Sequence, residues 1–155
     1  IYDVLKEQSK KHGALGMGYT YGGHPVSCAV ALETLKIYEE RNIVDRVREL
    51  APRFQERLSA LSKSSLVGEA RGVGLIGALE LVADKNTREQ YPAEQKIGAT
   101  VAARALNHGL VVRALPGDVI GICPPLIITI EQIDELFDSL SIAVTETEAL
   151  VKKAA

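Results

Sequence analysis

The stretch GLVVRALPGDVIGICPPLIITIEQIDEL, residues 109–136, decides the fold class of this chain. Its first residue, Gly109, is typical of the position just beyond a helix, because glycine enters the left-handed region at no steric cost. Two short apolar runs follow, residues 110–115 and 119–123, and each predicts a strand. Two consecutive prolines then interrupt the pattern, because proline cannot donate a backbone hydrogen bond.

A long helix is predicted to close this stretch. Thr129 and Gln132 have the spacing of a capping box, in which a hydroxyl and a side-chain amide each bond a free backbone N–H. The mostly apolar residues that follow recur every three or four positions, as one buried helix stripe requires. That stripe consists of Ile133, Leu136, Phe137, Leu140, Val144, Thr147 and Val151.

The preceding segment predicts the rest of the same domain. Residues 66–83 are typical of a strand interrupted by glycines, and a helix is predicted from about Pro92 to Gly109. An amphipathic helix follows Asn42, whose side chain suits an N-cap. Its stripe consists of Ile43, Val47, Leu50, Phe54, Leu58 and Leu61.

These elements predict an α+β fold, in which helices cover a small, mostly antiparallel sheet and a long linking helix precedes it. We assign residues 42–155 to this small domain. Residues 1–41 predict a short helix up to Gly13, a glycine-dense turn segment over residues 13–25, and a helix from Pro25 to about Arg41.

Composition excludes several classes of protein. The chain has 155 residues and a net charge of −2, so it shows no electrostatic tendency to bind nucleic acid or an anionic membrane. No stretch approaches the roughly 20 apolar residues that span a bilayer. Cys28 and Cys123 are predicted to be buried or reduced thiols, which favours a cytoplasmic location. The histidines have no metal-ligand spacing, so we predict no metal site.

A G-x-G-x-x-G pattern occurs at residues 72–77, but its context is wrong for dinucleotide binding. That motif has to follow a strand and open a helix whose N-terminus holds the pyrophosphate. Here the strand-like residues 78–82 follow instead. We therefore expect the glycines to allow a close approach of neighbouring elements.

The segment Gly18-Tyr19-Thr20-Tyr21-Gly22-Gly23-His24-Pro25 is a candidate anion site. A hydroxyl and several backbone N–H groups lie in a glycine-rich turn before a helix, and free N–H donors and the helix dipole both favour a phosphate. A turn that feeds a helix without any ligand fits the same residues equally well. The histidine in this segment has no nucleophile signature near it, so we expect a structural role for it.

Arg113 interrupts the apolar run of residues 110–115. A guanidinium inside an apolar strand costs free energy unless it meets an anion, and its planar fork fits a carboxylate. The alternative is an arginine that extends along a sheet edge into solvent. Physical reasoning alone leaves both interpretations open and slightly favours the sheet-edge arginine.

Three blocks of the sequence resemble the class III, ω-amino-acid:pyruvate-like aminotransferases that depend on pyridoxal 5′-phosphate (PLP). Residues 18–35, GYTYGGHPVSCAVALETL, resemble the segment after the catalytic lysine, and residues 69–82 and 109–136 resemble the small C-terminal domain. His24-Pro25 resembles the amine, β-alanine and taurine branch, whereas ornithine-type relatives usually carry Asn-Pro. Gly22 departs from that branch, where serine is common.

The resemblance implies a fold-type I PLP enzyme, a homodimer that transfers an amino group from an ω-amino acid or amine to a keto acid such as pyruvate. It implies that Thr20 binds the PLP phosphate in the partner subunit's active site and that Tyr19 lines the same pocket. It also implies that Arg113 binds the substrate carboxylate. No residue of this chain is assigned as catalytic.

The family's catalytic lysine is expected upstream of Ile1, because no lysine here has a similar context. We therefore expect the chain to be a C-terminal fragment, with residues 1–41 belonging to the large PLP domain, and to be inactive alone. Two alternatives are a fragment of a related PLP aminomutase or decarboxylase, and a non-catalytic module that retains the small-domain fold.

Overall fold

The computed structural model describes residues 1–13 and 18–154. The predicted glycine-dense segment therefore lies partly outside the described residues, with Gly16 among those not described. The chain divides into two compact units, Ile1–Arg41 and Asn42–Ala155.

The first unit contains two helices, α1 (Tyr2–His12) and α2 (Pro25–Glu40), as the sequence predicts. Pro25 occupies the first turn of α2, where its missing N–H has no intrahelical partner to lose. Neither helix has a buried residue within the described chain.

The second unit is an α+β layer built on one four-stranded sheet, and the predicted fold class is confirmed. The strands are β1 (Val67–Val73), β2 (Ile76–Leu81), β3 (Arg113–Leu115) and β4 (Val119–Ile122). They lie in the order β1-β2-β4-β3, and every pairing is antiparallel. The helices are α3 (Ile43–Ala60), α4 (Ile97–Asn107) and α5 (Ile130–Ala154).

The core lies between one face of the sheet and the helices. Leu79 on β2 and Ile120 on β4 are fully buried, and they face each other in the ladder. The rings of Phe54 and Phe137 meet edge to face where α3 and α5 cross, with centroids 5.0 Å apart. Both predicted helix stripes are confirmed, since their members are buried or half-buried.

Residues 66–83 form a hairpin and not one interrupted strand. Gly74, at φ 58°, supplies the left-handed residue of a two-residue loop that reverses the chain between Val73 and Ile76. Gly72 and Gly77 face each other in the ladder, and β2 follows where dinucleotide binding would require a helix. A Cβ at Gly77 would lie 2.8 Å from Leu58, so this glycine allows α3 to approach the sheet.

Helix ends confirm two cap predictions and correct a third. Thr129 and Gln132 exchange the two capping-box bonds, at 3.0 and 3.2 Å. Gly109 has φ 76° and forms a Schellman turn, in which the Leu110 N–H bonds the Ala105 carbonyl. Asn42 makes no side-chain cap bond, because it stands before α3 in a left-handed conformation with φ 48°.

The predicted strand over residues 110–115 is shorter than expected, and β3 begins at Arg113. The chain leaves α4 through the Schellman turn, so the Leu110 N–H is bonded to the helix and not to the sheet. Leu110 and Val112 pack against the core from outside the ladder. The apolar character of Leu110 and Val112 therefore reflects packing against the core and not strand pairing, whereas Val111 between them is 82% exposed.

A pH-dependent tether connects α5 to the turn before β1. Glu148 accepts hydrogen bonds from Lys152, Ser64 and Ser65 at 2.6, 2.6 and 2.7 Å, and these donors lower its pKa from 4.5 to about 2. A lowered folded-state pKa stabilises the fold above the unfolded value, and this contribution is lost as pH falls toward 2.

We expect Glu148→Gln to lower the free energy of unfolding most near neutral pH. The gap to the wild type should narrow as pH falls from about 5 toward 2, because the unfolded chain takes up the proton below about 4.5 whereas the folded state takes it up only near 2. Urea unfolding across that interval measures this gap. Glu135→Gln, at an exposed position of the same helix, is the control. A gap for Glu148→Gln that stays constant with pH would contradict the assignment.

Candidate functional site

The segment from Gly18 to His24 forms a tight turn before α2. The Gly22 N–H donates to the Tyr19 carbonyl at 2.8 Å, and the His24 N–H donates to the Tyr21 carbonyl at 3.2 Å. A Cβ at Gly22 would lie 3.1 Å from the Tyr19 carbonyl oxygen. A side chain at this position would therefore make a close contact within the turn.

Thr20 and Tyr19 lie on the outer surface of this turn, and Tyr19 is 83% exposed. At the start of α2, the first intrahelical bond runs from the Cys28 N–H to the His24 carbonyl at 2.9 Å. The N–H groups of Val26 and Ser27 precede that bond and have no intrahelical acceptor.

This donor set fits a phosphate group. A hydroxyl, free backbone N–H groups and the positive end of a helix dipole all favour an anion. No Asp or Glu occurs between Gly18 and Leu32, so no carboxylate of this segment opposes a bound phosphate. The same segment offers no ligand set for a metal ion.

Arg113 is the first residue of β3, an edge strand of the sheet in the second unit. It is exposed, so the cost of burying a guanidinium does not apply. This exposed position at the sheet edge agrees with the second interpretation of the sequence, in which the arginine extends into solvent. No carboxylate in the described part of the chain lies within salt-bridge distance of it.

The strand register places Arg113 in one row across the open face of the sheet. Arg113 faces Gly121, Gly121 faces Ala78, and Ala78 faces Arg71 on the far strand. Arg71 is neutralised by Glu80 at 2.7 Å and by Glu69 at 3.6 Å. Of the two arginines in this row, only Arg113 has its guanidinium available for a ligand.

A groove of about 620 Å³ opens beside Arg113. Its walls are almost entirely apolar, and the arginine supplies the one charged group among the residues that line it. The lining residues are 110–113, 121–125, Ile128 and Leu136. A cleft with apolar walls and one planar cation suits a small organic acid.

Sequence reasoning missed Asp118 in the turn between β3 and β4. Its side-chain Oδ1 accepts the Gly98 N–H at 2.8 Å, which joins the hairpin to the start of α4. Asp118 has φ 53°, and aspartate in a turn tolerates this conformation. The residues Pro116-Gly117-Asp118 indicated a turn, but nothing in the sequence indicated its long-range partner.

The remaining candidate groups carry no site in the described structure. Cys28 and Cys123 are free thiols and both are exposed, so neither is buried as the sequence suggested. Residues 1–13 and 18–154 contain no cluster of three groups that could hold a metal ion. None of the helices within those ranges is long and apolar enough to cross a membrane. Thr20 belongs to the first unit and Arg113 to the second.

Similar proteins have related sequences and folds. Gamma aminobutyrate transaminase 3, a chloroplastic protein of Solanum lycopersicum, is 47% identical over 99% of this chain and 29% of its own length. A related transaminase of the same plant, described as mitochondrial, is 45% identical over 99% of the chain and 30% of its own length.

Solved structures agree with these relatives. The omega-transferase from Vibrio fluvialis JS17 superposes with a TM-score of 0.87 and 35% identity, over 99% of this chain and 36% of that one. A PMP-bound aminotransferase from Vibrio fluvialis gives a TM-score of 0.84 with 35% identity, over 95% of this chain and 32% of that one. The predicted relation to fold-type I PLP enzymes is confirmed.

The chain spans about 30% of the length of the curated relatives it matches. Residues 3–144 match the family described as Aminotransferase class-III, which is most of the chain. Sequence, fold and family description therefore agree, and the chain belongs to the class III aminotransferases.

Proposed function

We propose that this chain is the C-terminal portion of a PLP-dependent aminotransferase. The enzyme transfers an amino group from an ω-amino acid or amine to a keto acid such as pyruvate. The observation that carries this proposal is an exposed guanidinium, that of Arg113, beside an apolar groove of about 620 Å³. Both substrate classes, amino acid and keto acid, carry the carboxylate that such a group binds.

Residues 42–155 act as the small domain in this proposal, and residues 1–41 belong to the large PLP domain. Class III aminotransferases use PLP, and the turn before α2 offers the donors that its phosphate requires. Thr20 would bond a phosphate oxygen, and Tyr19 would line the pocket beside it. When bound, PLP supplies the electron sink for the electron pair left at the amine carbon.

Arg113 acts on the substrate and not on the cofactor. A bidentate contact fixes both the position and the orientation of the carboxylate, so the reacting carbon is presented in one geometry. The apolar walls of the groove lie beside that ion pair and supply no competing charge. Substrate recognition is therefore the contribution of this part of the chain.

The donor amine is the part of the proposal that relatives help to define. The plant relatives are named for γ-aminobutyrate, an ω-amino acid that carries the required carboxylate. We take γ-aminobutyrate as the donor to test first. Their chloroplastic and mitochondrial names do not support the predicted cytoplasmic location, which stays a prediction.

A homodimer is the assembly we propose, with Thr20 serving the partner subunit. Helix α2 supports this because it leaves several apolar side chains exposed in the described chain, among them Val26, Val30, Leu32 and Leu35. The mass of the PLP-loaded protein in solution tests the assembly, and a monomer at working concentration would remove the dimer from the proposal.

The isolated chain should form no specific covalent adduct with PLP. No lysine of this chain has a sequence context like that of the family's catalytic lysine, and several have described partners. Lys10 pairs with Glu7, Lys36 lies between Glu33 and Glu40, Lys85 donates to the carbonyls of Ser62 and Ser64, and Lys152 pairs with Glu148. Borohydride reduction followed by peptide mapping tests this expectation. One lysine labelled stoichiometrically at low PLP concentration would show that the chain holds its own attachment site.

Thr20→Val should weaken PLP retention in the full-length enzyme. It removes a hydrogen bond to a charged oxygen, which contributes about 1.5–3 kcal/mol. Thr20→Ser keeps the hydroxyl and is the matched control. Equilibrium dialysis measures the PLP dissociation constant of each variant. Equal constants for wild type and Thr20→Val would show that this hydroxyl does not hold the phosphate.

Arg113→Ala should impair only those half-reactions whose substrate carries a carboxylate. We expect a loss of about 2–4 kcal/mol in transition-state binding for γ-aminobutyrate and for pyruvate. n-Butylamine has the same number of carbons, with a methyl group in place of the carboxylate, so its half-reaction should be much less affected. Stopped-flow measurement of each half-reaction separates the substrates, whereas a full cycle with pyruvate would hide the difference.

Two further variants test whether the effect requires the guanidinium group at position 113. Arg113→Lys should restore little, because an ammonium group cannot reproduce the planar fork. Arg48→Ala removes an exposed arginine on α3 whose salt bridge, to Asp45, is local, and it should change neither half-reaction. Equal losses for γ-aminobutyrate and n-butylamine in Arg113→Ala would mean that Arg113 is structural.

A further inference from the structure

Helix α4 begins without a cap from its own sequence. Lys96 stands at the N-cap position with φ 48°, and its side chain makes no cap bond. The missing acceptor comes from Asp118, whose Oδ1 accepts the Gly98 N–H at 2.8 Å. A carboxylate at this position also interacts favourably with the positive end of the helix dipole.

The contact between the hairpin and the helix is close on both sides. A Cβ at Gly98 would lie 3.1 Å from the Asp118 Cα and 3.2 Å from its Oδ1, so only glycine fits here without a shift. The backbone of Asp118 is anchored as well, because its carbonyl accepts the Leu81 N–H at 3.1 Å. The tip of the β3–β4 hairpin is therefore held against both α4 and β2.

Helix α4 is itself a firmly held element. Glu146 on α5 bonds Arg104 and His108, both at 3.0 Å, near the C-terminal end of α4. The Schellman turn at Gly109 then directs the chain toward Arg113. The two ends of α4 are thus connected to the same hairpin, one through the backbone and the other through the Asp118 carboxylate.

The strand ladder holds β3 on one side only. It is three residues long, lies at the edge of the sheet and pairs only with β4. The Arg113 side chain is exposed. The position of the β3 backbone therefore sets the region that the guanidinium can reach. A tilt of the hairpin on α4 would move Arg113 relative to the groove.

We propose that Asp118 is the positioning residue for Arg113: by capping α4 from the hairpin turn, it holds the guanidinium at the rim of the groove. This proposal rests on the carboxylate-binding role of Arg113. In this proposal Asp118 acts through the orientation of the hairpin, because its described bonds are to the backbone of Gly98 and Leu81. Its loss should therefore affect carboxylate binding before it affects any other step.

Three substitutions at Asp118 separate the cap from the backbone conformation. Asp118→Asn keeps an acceptor and tolerates the left-handed backbone, whereas Asp118→Gly keeps the backbone conformation and removes the acceptor. Asp118→Ala loses both. Gly98→Ala disturbs the same contact from the helix side, because the new Cβ has to displace Asp118. Each is made in the full-length, PLP-loaded enzyme.

The primary readouts are the KM for pyruvate and the dissociation constant of propionate, an unreactive carboxylate measured by calorimetry. We expect Asp118→Gly and Gly98→Ala to raise both about tenfold, because small misplacements of a binding group are costly. Asp118→Asn should stay within about twofold of wild type, and so should the n-butylamine half-reaction of every variant. Hydrogen exchange of the Gly98 amide should accelerate in Asp118→Gly but not in Asp118→Asn.

The outcomes separate this inference from the proposed function. If Arg113→Ala weakens propionate binding but neither Asp118→Gly nor Gly98→Ala does, the positioning role is wrong and the function of Arg113 stands. If Arg113→Ala has no effect, both proposals fail together. Equal losses for pyruvate and n-butylamine in Asp118→Gly would make the contact merely structural. Should Asp118→Gly fail to fold, Gly98→Ala decides the same question.

Discussion

The burial of a single face of the sheet is the constraint on which the rest of this structure depends. Antiparallel strands alternate their side chains, so one face carries Leu79 and Ile120 into the core and the other stays in contact with solvent. Helices α3 and α5 cross over the buried face, where Phe54 and Phe137 pack edge to face. This division of the sheet leaves its open face available for polar groups.

The open face is where the chemistry of the second unit can lie. Its ladder carries Arg71 at one edge and Arg113 at the other, with Ala78 and Gly121 between them. Because Glu69 and Glu80 neutralise Arg71, an incoming carboxylate meets a free guanidinium only at the other end of this row. The ion pairs of Arg71 thus determine which arginine is available, and we propose that the turn at Asp118 determines how accurately Arg113 is presented.

Local patterns predicted the parts of the fold that depend on neighbours in sequence. The stripes of α3 and α5, the capping box at Thr129 and the glycine after α4 all involve residues within one or two helical turns. The α+β class followed from their order, and the family resemblance pointed to Thr20 and Arg113. Neither assignment followed from composition or periodicity, because a turn or a sheet edge explains the same residues.

Features that depend on distant partners could not be predicted in this way. The hairpin within residues 66–83 was read as one strand, because Gly74 resembles other glycines until its φ of 58° is known. Residues 110–112 looked like strand because all three are apolar, but Leu110 and Val112 pack against the core outside the ladder and Val111 is exposed. The bond between Asp118 and Gly98 joins residues 20 positions apart, so no local pattern reveals it.

The central claim is that this chain supplies carboxylate and phosphate recognition to a PLP enzyme. A crystal structure of the full-length protein with PLP and a bound unreactive carboxylate such as propionate tests it most directly. The account predicts that the Arg113 guanidinium bonds the carboxylate and that the Thr20 hydroxyl bonds a phosphate oxygen. A carboxylate held by other residues, with Arg113 still free in solvent, would contradict it.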